Sequence, residues 1–308
     1  MMKKLWDVVI VGGGPAGYSA ALYAVRAGYS TLVVEMLSPG GQMATTNAIE
    51  NYPGFVESVD GFELAMTMQQ QAEKFGSETL YAQVTAVQLE GAEKHLTTTE
   101  GELRAKAVIF ATGADPRPLG LPGEDVLRGR GVAYCATCDG GFYRGKTVAV
   151  AGGGNSAAED ALTLSKLCKK VYLIHRRDTL SATRSYLKPL EKAENIEFLW
   201  NKQVTGFEVD GTFTGLTLTD TKTGEESPLP VNGLFVAIGR QPNTWLVKDQ
   251  LELDRQGYIV ADESCRTSQP GVFAIGDVRT KPLRQVVTAV ADGATASKYL
   301  EEYLNGLD

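Results

Sequence analysis

The chain has 308 residues and a formal net charge of −7, from 30 Lys+Arg against 37 Asp+Glu. That length suits two domains better than one, and the acidic balance argues against general nucleic-acid binding, which draws its affinity from neutralising phosphate. Four cysteines are too few for a disulfide scaffold and two histidines too few for a histidine-rich metal site. Glycine is the outlier, with 34 residues, about 11% against an average of about 7%.

Residues 7–11 form a short β-branched run, the pattern of a buried strand. Gly12-Gly13-Gly14-Pro15-Ala16-Gly17 follows, then a helix over 19–27 ending near Gly28, then a second strand over 31–34 with Glu35 at its end. Residues 8–25 carry no charged side chain and imitate a membrane span, and Met1-Met2-Lys3-Lys4 before them imitates a signal peptide. The glycines and Pro15 make that stretch a poor helix, and Asp7 interrupts the run. The expectation is a soluble cytoplasmic protein with no membrane partner, its thiols kept reduced.

Strand-and-turn segments at 83–89 and 95–98 lead to a strand over 107–111, then Thr112-Gly113 and a proline-bearing turn over 116–122. A second strand–glycine–helix–strand unit begins at 147–150. Gly152-Gly153-Gly154-Asn155-Ser156-Ala157 follows, with a helix over 158–168 and a strand over 171–174 ending at His175. Gly152 lies 140 positions after Gly12 (152 − 12), and His175 lies 140 after Glu35 (175 − 35). Matched spacing of this kind marks an internal repeat. Residues 204–218 read as strand-and-turn decoration. Strand 234–238 leads into Gly239 and Pro242-Asn243, and the chain ends with strand 272–275, Gly276-Asp277 and a helix over 284–304. The expected fold class is α/β, with two Rossmann-like three-layer dinucleotide-binding domains, one inserted into the other. Residues 1–116 and 246–308 would make the first, and 119–243 the second.

In G-x-G-x-x-G after a strand, the first glycine makes the tight turn, the second admits the pyrophosphate and the third lets helix and strand pack closely. Gly12, Gly14 and Gly17 fit that pattern, and Gly152, Gly154 and Ala157 fit its G-x-G-x-x-A variant. A helix N-terminus then offers unpaired N–H groups to the phosphates. Glu35 suits an unphosphorylated ribose, as in FAD or NAD. At the matching place stand His175, Arg176 and Arg177, and two guanidiniums suit a 2′-phosphate. The second site should therefore prefer NADPH.

Cys135-Ala136-Thr137-Cys138-Asp139-Gly140 carries the reaction. Two cysteines separated by two residues form a reversible disulfide or half of a metal site. A zinc site needs two further ligands, and only the isolated Cys168, placed on a helix, and Cys265, placed in a strand, remain; both read as packing residues. Asp139 is a candidate proton donor and acceptor for the thiols, or a helix-start carboxylate. His95, in a polar segment, reads as exposed.

These motifs resemble the bacterial-type low-molecular-weight thioredoxin reductase family, within the FAD/NADPH pyridine nucleotide-disulfide oxidoreductases. The resemblance rests on GGGPAG at 12–17, GGQ at 40–42, ENYPG at 50–54, ATGA at 111–114, CATCDG at 135–140, GGGNSA at 152–157, HRR at 175–177, GRQPN at 239–243 and GDV at 276–278. It covers nearly the whole chain, and CATCDG is its most specific string. It implies a homodimer with FAD in the discontinuous domain, contacted by Gly12, Gly14, Gly17, Glu35, Gln42 and Asn51. Asp277 would face the ribityl–pyrophosphate region, and Arg284, Gln285 and Val286 would meet the flavin. Gly154, Asn155, Ser156, Ala157, His175, Arg176 and Arg177 would bind NADPH. Cys138 would be the thiol nearest the flavin, Cys135 the one that attacks thioredoxin's disulfide, and Asp139 the acid–base group. The family often has another Arg where this chain has Ser181, and Arg184 stands one helical turn further on.

The implied activity is thioredoxin-disulfide reductase, with electrons passing from NADPH through FAD and the Cys135–Cys138 disulfide to thioredoxin. Because the cysteines belong to the NADPH domain, that domain should rotate about connections near 116–119 and 243–246. Two rivals share the residues. One is an FAD-dependent dithiol oxidase or ferredoxin-fed reductase of the same fold; the other is a non-catalytic nucleotide- or zinc-binding sensor.

Overall fold

The computed structural model describes residues 4–46 and 48–307. Met1, Met2 and Lys3, which open the leader-like start, lie outside the described residues. The chain divides into two compact units, Met1–Asp115 with Gln241–Asp308, and Pro116–Arg240.

The first unit is built on a seven-stranded sheet. Glu78–Tyr81, Thr31–Glu35, Leu5–Val11 and Gly101–Phe110 lie side by side in that order and run parallel. Gly101–Phe110 serves two further neighbours. Its first half pairs antiparallel with Lys94–Thr98, which continues to Val84–Gln88, and its last residues pair in parallel with Val272–Ala274. Alternation along the strands sends Val8, Ile10, Val33, Ala107 and Ile109 to one face, packed with the helices Pro15–Arg26 and Val286–Asn305. Val9, Val11, Leu32, Val34, Val108 and Phe110 fill the other face. Burial on both faces explains why these strands read as continuous apolar runs. The two helices approach at backbone distance: a Cβ on Gly293 would lie 2.5 Å from the Ala16 carbonyl oxygen. Ser19 Oγ donates to the Val290 carbonyl at 2.8 Å and Ser297 Oγ to the Ala20 carbonyl at 3.1 Å, fixing that contact.

The second unit has a five-stranded parallel sheet in the order Ile196–Trp200, Lys170–His175, Thr147–Ala151, Gly233–Val236, Val132–Ala133. Helices Asn155–Ser165 and Arg184–Lys192 cover one face. Val204, Phe213, Leu216 and Leu218, from an antiparallel sheet of Lys202–Asp210, Thr212–Asp220 and Glu226–Pro230, cover the other. The two passages of chain between the units, Ala114–Pro116 and Arg240–Pro242, pair as a two-stranded ribbon. The crossings fall at 115/116 and 240/241, against the expected 116–119 and 243–246. Asn243 already belongs to the first unit, because its N–H donates to the Gly113 carbonyl at 3.0 Å and its side chain to the Thr112 carbonyl at 3.0 Å.

Three local readings are corrected. Both glycine-loop helices start earlier than expected, at Pro15 and Asn155, with Gly14 and Gly154 as N-caps. Proline fits the first helical position because its missing N–H has no partner there anyway. The second of these helices ends at Ser165, so Cys168 lies in the bend beyond it rather than on the helix. Cys265 lies outside any strand, with φ +63, inside a turn in which the Asp262 carboxylate accepts the N–H groups of Ser264 and Arg266. Both cysteines are buried free thiols. Among the described residues no helix is long and apolar enough to cross a membrane.

Candidate active site

The sequence repeat is reproduced atom by atom. The Gly12 N–H donates to the Val34 carbonyl at 2.9 Å, and the Gly152 N–H to the Ile174 carbonyl at 3.1 Å. Gly12 has φ +110, and a Cβ there would lie 2.4 Å from the Ala111 carbonyl oxygen. Gly152 has φ +155, and its Cβ would lie 2.4 Å from the Ala237 carbonyl oxygen. Only glycine turns the chain so sharply against a neighbouring strand. A Cβ on Gly17 would sit 2.0 Å from the Gly12 carbonyl oxygen, which is the close packing the third glycine permits.

The middle glycines differ from their neighbours. A Cβ on Gly14 would meet only the Gly40 carbonyl oxygen, at 3.9 Å, and one on Gly154 only Ser181 Oγ, at 3.9 Å. Each caps a helix with no side-chain capping bond and no acidic residue in the first turn. Open space in front of uncapped N–H groups is what a pyrophosphate needs. Both turns therefore fit a dinucleotide.

In the first unit, Glu35 Oε2 accepts the Gly13 N–H at 2.7 Å and Oε1 accepts the Leu37 N–H at 3.0 Å, so the strand-end carboxylate is tied to the glycine turn. Gln42 lies in the short helical turn Gly41–Thr45, and its side-chain amide donates to the Ala114 carbonyl and to Asp115 Oδ1. Asn51 Nδ2 donates to Gln285 Oε1 at 3.0 Å. Gln285 caps the last helix in a reciprocal box with Thr288, and Val286 packs with Met43, Ile49, Leu64 and Ala65. Asp277 lies in the turn Gly276–Val278, which touches the first glycine-loop helix: a Cβ on Gly276 would lie 3.0 Å from Ala16 Cβ. Arg284 sits with its guanidinium 3.9 Å from the Tyr258 ring centroid and donates to the carbonyls of Asp277 and Arg279. These contacts join Glu35 to the glycine turn, Asn51 to Gln285 and Arg284 to the Asp277 carbonyl, while Gln42 binds Ala114 and Asp115. A buried cluster was not read from the sequence: the Asp292 carboxylate accepts from Gly276 N, Arg279 and Lys281 and so anchors the Gly276–Val278 turn.

In the second unit, His175 packs under the glycine turn. A Cβ on Gly153 would lie 2.1 Å from its ring, and burial lowers its pKa. Arg176 and Arg177 are exposed, with their backbone carbonyls accepting from Thr221 Oγ and Asn201 N. Ser181 bonds the turn twice, through N at 2.8 Å and Oγ at 3.0 Å, both to the Gly153 carbonyl. Asn155 Oδ1 accepts the Thr183 N–H at 2.8 Å. Ser156 is exposed at the helix start and Ala157 is fully buried. These two clasps tie the 178–183 loop to the glycine turn.

Cys135 and Cys138 form a disulfide with Cα atoms 5.3 Å apart. Cys135 is the N-cap of the one-turn helix Ala136–Asp139, its sulfur accepting the Cys138 N–H at 3.2 Å. Both cysteines are half-buried. The preceding residue, Tyr134, donates its hydroxyl to the buried Glu124 at 2.6 Å, and the same carboxylate accepts the N–H groups of Leu119, Gly120 and Leu121. Burial pushes the Asp139 carboxyl up to about 6, against the pull of Arg128. Burial also pushes Asp160, on helix Asn155–Ser165, up to about 7. Sequence reading missed Asp160, yet a signal exists. It stands three residues after Ala157 and four before Leu164, both buried, so it is a carboxylate beside an apolar helix stripe.

Comparison with known proteins supplies an independent test. The profile of the pyridine nucleotide-disulphide oxidoreductase family matches residues 6–293. A thioredoxin reductase of Streptomyces coelicolor is 46% identical over 309 aligned positions, covering 99% of this chain and 96% of that protein. One from Treponema pallidum is 44% identical, covering 99% of each. The crystal structure of a thioredoxin reductase from Streptococcus pyogenes superposes with a TM-score of 0.92 at 42% identity, covering 98% of this chain and 99% of that one. A likeness that runs from the first glycine turn into the last helix includes both dinucleotide turns and the dithiol, and the chain belongs to the pyridine nucleotide-disulphide oxidoreductase family.

Proposed function

We propose that this enzyme is an NADPH-dependent thioredoxin-disulfide reductase. It holds FAD in the first unit and NADPH in the second, and works as a cytoplasmic homodimer. The observation that carries the reading is a disulfide, Cys135–Cys138, in a unit that has its own open glycine turn, while a second such turn ends in a carboxylate rather than in arginines. When bound, the flavin supplies the two-electron chemistry that links a nicotinamide to a disulfide.

The residues around each turn divide the work. Gly14 and Gly154 leave room for a pyrophosphate at a helix N-terminus. Glu35 suits ribose hydroxyls, and the exposed Arg176 and Arg177 suit a 2′-phosphate. Asn51, Gln285 and Val286 shape the flavin edge. Once the dithiol is reduced, the Cys135 thiolate attacks one sulfur of thioredoxin's disulfide and expels the other as a thiolate. The Cys138 thiolate then attacks Cys135 Sγ, which re-forms the Cys135–Cys138 bond and releases the second thioredoxin sulfur. Asp139, with its carboxyl raised to about 6, holds or gives a proton at these sulfurs near neutral pH. Thioredoxin's potential is about −270 mV, and each ~30 mV of mismatch costs about 1.4 kcal/mol, so the enzyme's pair should lie near that value. The dithiol serves two partners in turn, so its unit rotates about the ribbon of Ala114–Pro116 and Arg240–Pro242.

The test is anaerobic stopped-flow with the purified protein. NADPH should bleach the flavin absorbance, and added thioredoxin disulfide should restore it. Colourless protein, or a Cys138→Ser variant that reduces thioredoxin at full speed, would overturn the proposal. Bleaching by reduced ferredoxin and not by NADPH would favour the ferredoxin-fed rival.

A further inference from the structure

Arg176 and Arg177 follow the end of strand Lys170–His175 and are exposed. The backbone beneath them is held from a different part of the same unit. Asn201, the single residue between strands Ile196–Trp200 and Lys202–Asp210, has φ +53, a left-handed conformation that asparagine tolerates better than most residues. Its N–H donates to the Arg177 carbonyl at 3.2 Å, and its carbonyl accepts the Thr221 N–H at 2.7 Å. Thr221 opens the turn after strand Thr212–Asp220, and its hydroxyl donates to the Arg176 carbonyl at 3.1 Å. That hydroxyl also lies 3.2 Å from the Asn201 carbonyl, but the latter already accepts the Thr221 N–H. Asp220 keeps the turn in shape: its carboxylate accepts the N–H groups of Lys222 and Thr223 at 2.8 and 3.0 Å and pairs with Lys202 at 3.0 Å. Lys222 Nζ lies 3.7 Å from the Asp178 carboxylate, so the acid that follows the two arginines is met by a cation of the same turn.

We infer that Thr221 is a positioning residue that sets nucleotide specificity: together with Asn201 it pins the backbone of Arg176 and Arg177 before a 2′-phosphate arrives. This rests on the assignment of the two arginines to that phosphate. Arginine side chains are long, and binding an anion between two of them costs the freedom they had beforehand. A backbone already fixed at both carbonyls leaves less freedom to lose, so the phosphate keeps more of the binding energy of its charged hydrogen bonds. The clamp bonds end on the carbonyls of Arg176 and Arg177 and not on the Gly152–Ala157 turn. Loosening them should therefore weaken recognition of the 2′-phosphate and spare the rest of the nucleotide. The Lys222–Asp178 pair is exposed on both sides and adds charge balance rather than stability.

The test uses the purified oxidised holoenzyme and two probes, adenosine 2′,5′-bisphosphate and adenosine 5′-monophosphate, titrated by calorimetry. The probes differ only in the 2′-phosphate. Thr221→Val keeps the shape of the side chain and removes its donor. It should weaken the bisphosphate about threefold or more and leave the monophosphate within about twofold. Thr221→Ser keeps the donor and should hold the wild-type preference between the probes. An unchanged bisphosphate-to-monophosphate ratio in Thr221→Val overturns the proposal. So does an equal loss for both probes, which marks general damage to the unit, and so does a Thr221→Ser variant that loses as much as Thr221→Val. Wild-type enzyme that binds both probes alike would remove the arginine assignment itself and the clamp with it, whereas a preference retained in Thr221→Val removes the clamp alone. Neither probe carries a nicotinamide and no thioredoxin is present, so failure here is separable from failure of the reductase assignment.

Discussion

The N–H of Gly13 donates to Glu35 Oε2 at 2.7 Å, tying the first glycine turn to the end of the next strand. At the matching place in the second unit the His175 ring lies against Gly153, where a Cβ would meet it at 2.1 Å. One backbone repeat therefore carries two different strand-end chemistries.

Glu35→Ala removes the acceptor for both Gly13 N–H and Leu37 N–H. Two backbone donors lose a charged partner, at about 1–3 kcal/mol for the site. The expected outcome is FAD affinity down about tenfold, or more, and a lower melting temperature of the flavin-free protein. Flavin fluorescence titration and calorimetry read the two effects separately.

Gly153→Ala tests whether His175 alone closes that side of the second turn. The clash is with a side chain, so it should cost about 1–3 kcal/mol in urea unfolding, and His175→Ala should recover most of it in the double variant. Gly12→Ala meets a backbone carbonyl at 2.4 Å and has φ +110, so no side-chain deletion should rescue it. Equal rescue of both would contradict the geometry.

Both glycine turns could be read from the sequence because a sharp turn against a neighbouring strand leaves only one residue type possible, and the 140-residue spacing repeats it. The strand cores were readable because burial on both faces demands continuous apolar runs. Other elements were written in weaker code. Helix Gly61–Lys74 is announced by Asp60, whose carboxylate accepts the Phe62 and Glu63 N–H groups, a cap with an acidic third residue that went unread. The hairpin of Lys202–Asp210 and Thr212–Asp220 turns at Gly211 with φ +67, a single glycine in a polar run. Helix Arg184–Lys192 contains Pro189, which argues against a helix by local rules and is carried by packing of Leu190 in the core. In the site, Cys135, Cys138 and the glycines have unique chemistry. Glu124 is an ordinary acid whose role, holding Tyr134 and the N–H groups of Leu119, Gly120 and Leu121, comes only from what folds over it.

Asp139 gives a pH signature. Its folded value, about 6, lies above the ordinary 3.8, so the folded state binds the proton more tightly than the unfolded one. The folded state then loses stability as pH rises from about 4 to about 6, by about 2–3 kcal/mol in all, and the cost persists above that range. Asp139→Asn removes the cost. It should raise the melting temperature at pH 8 and leave it nearly unchanged at pH 4, while thioredoxin reduction falls about a hundredfold or more through loss of the proton carrier. A stability gain that is the same at both pH values would rule out burial of the charge as the cause.

Cofactor choice separates charge from positioning in the second unit. Arg176 and Arg177 are exposed, and nothing about a 2′-hydroxyl calls for them. Arg177→Ala should raise the KM for NADPH about tenfold or more and leave that for NADH within about twofold, since only the phosphate loses a partner. Ser181 lacks charge, and its hydroxyl donates to the Gly153 carbonyl at 3.0 Å. Ser181→Ala should therefore loosen the turn for both nucleotides alike, by about 0.5–1.5 kcal/mol, or two- to tenfold in KM. Ser181→Arg trades that bond for a cation beside Gly154, where a Cβ would lie 3.9 Å from Ser181 Oγ and meet nothing nearer. If the phosphate lies there, NADPH should gain over NADH even while the turn is loosened. An unchanged NADPH-to-NADH ratio in both Arg177→Ala and Ser181→Arg would place the 2′-phosphate elsewhere.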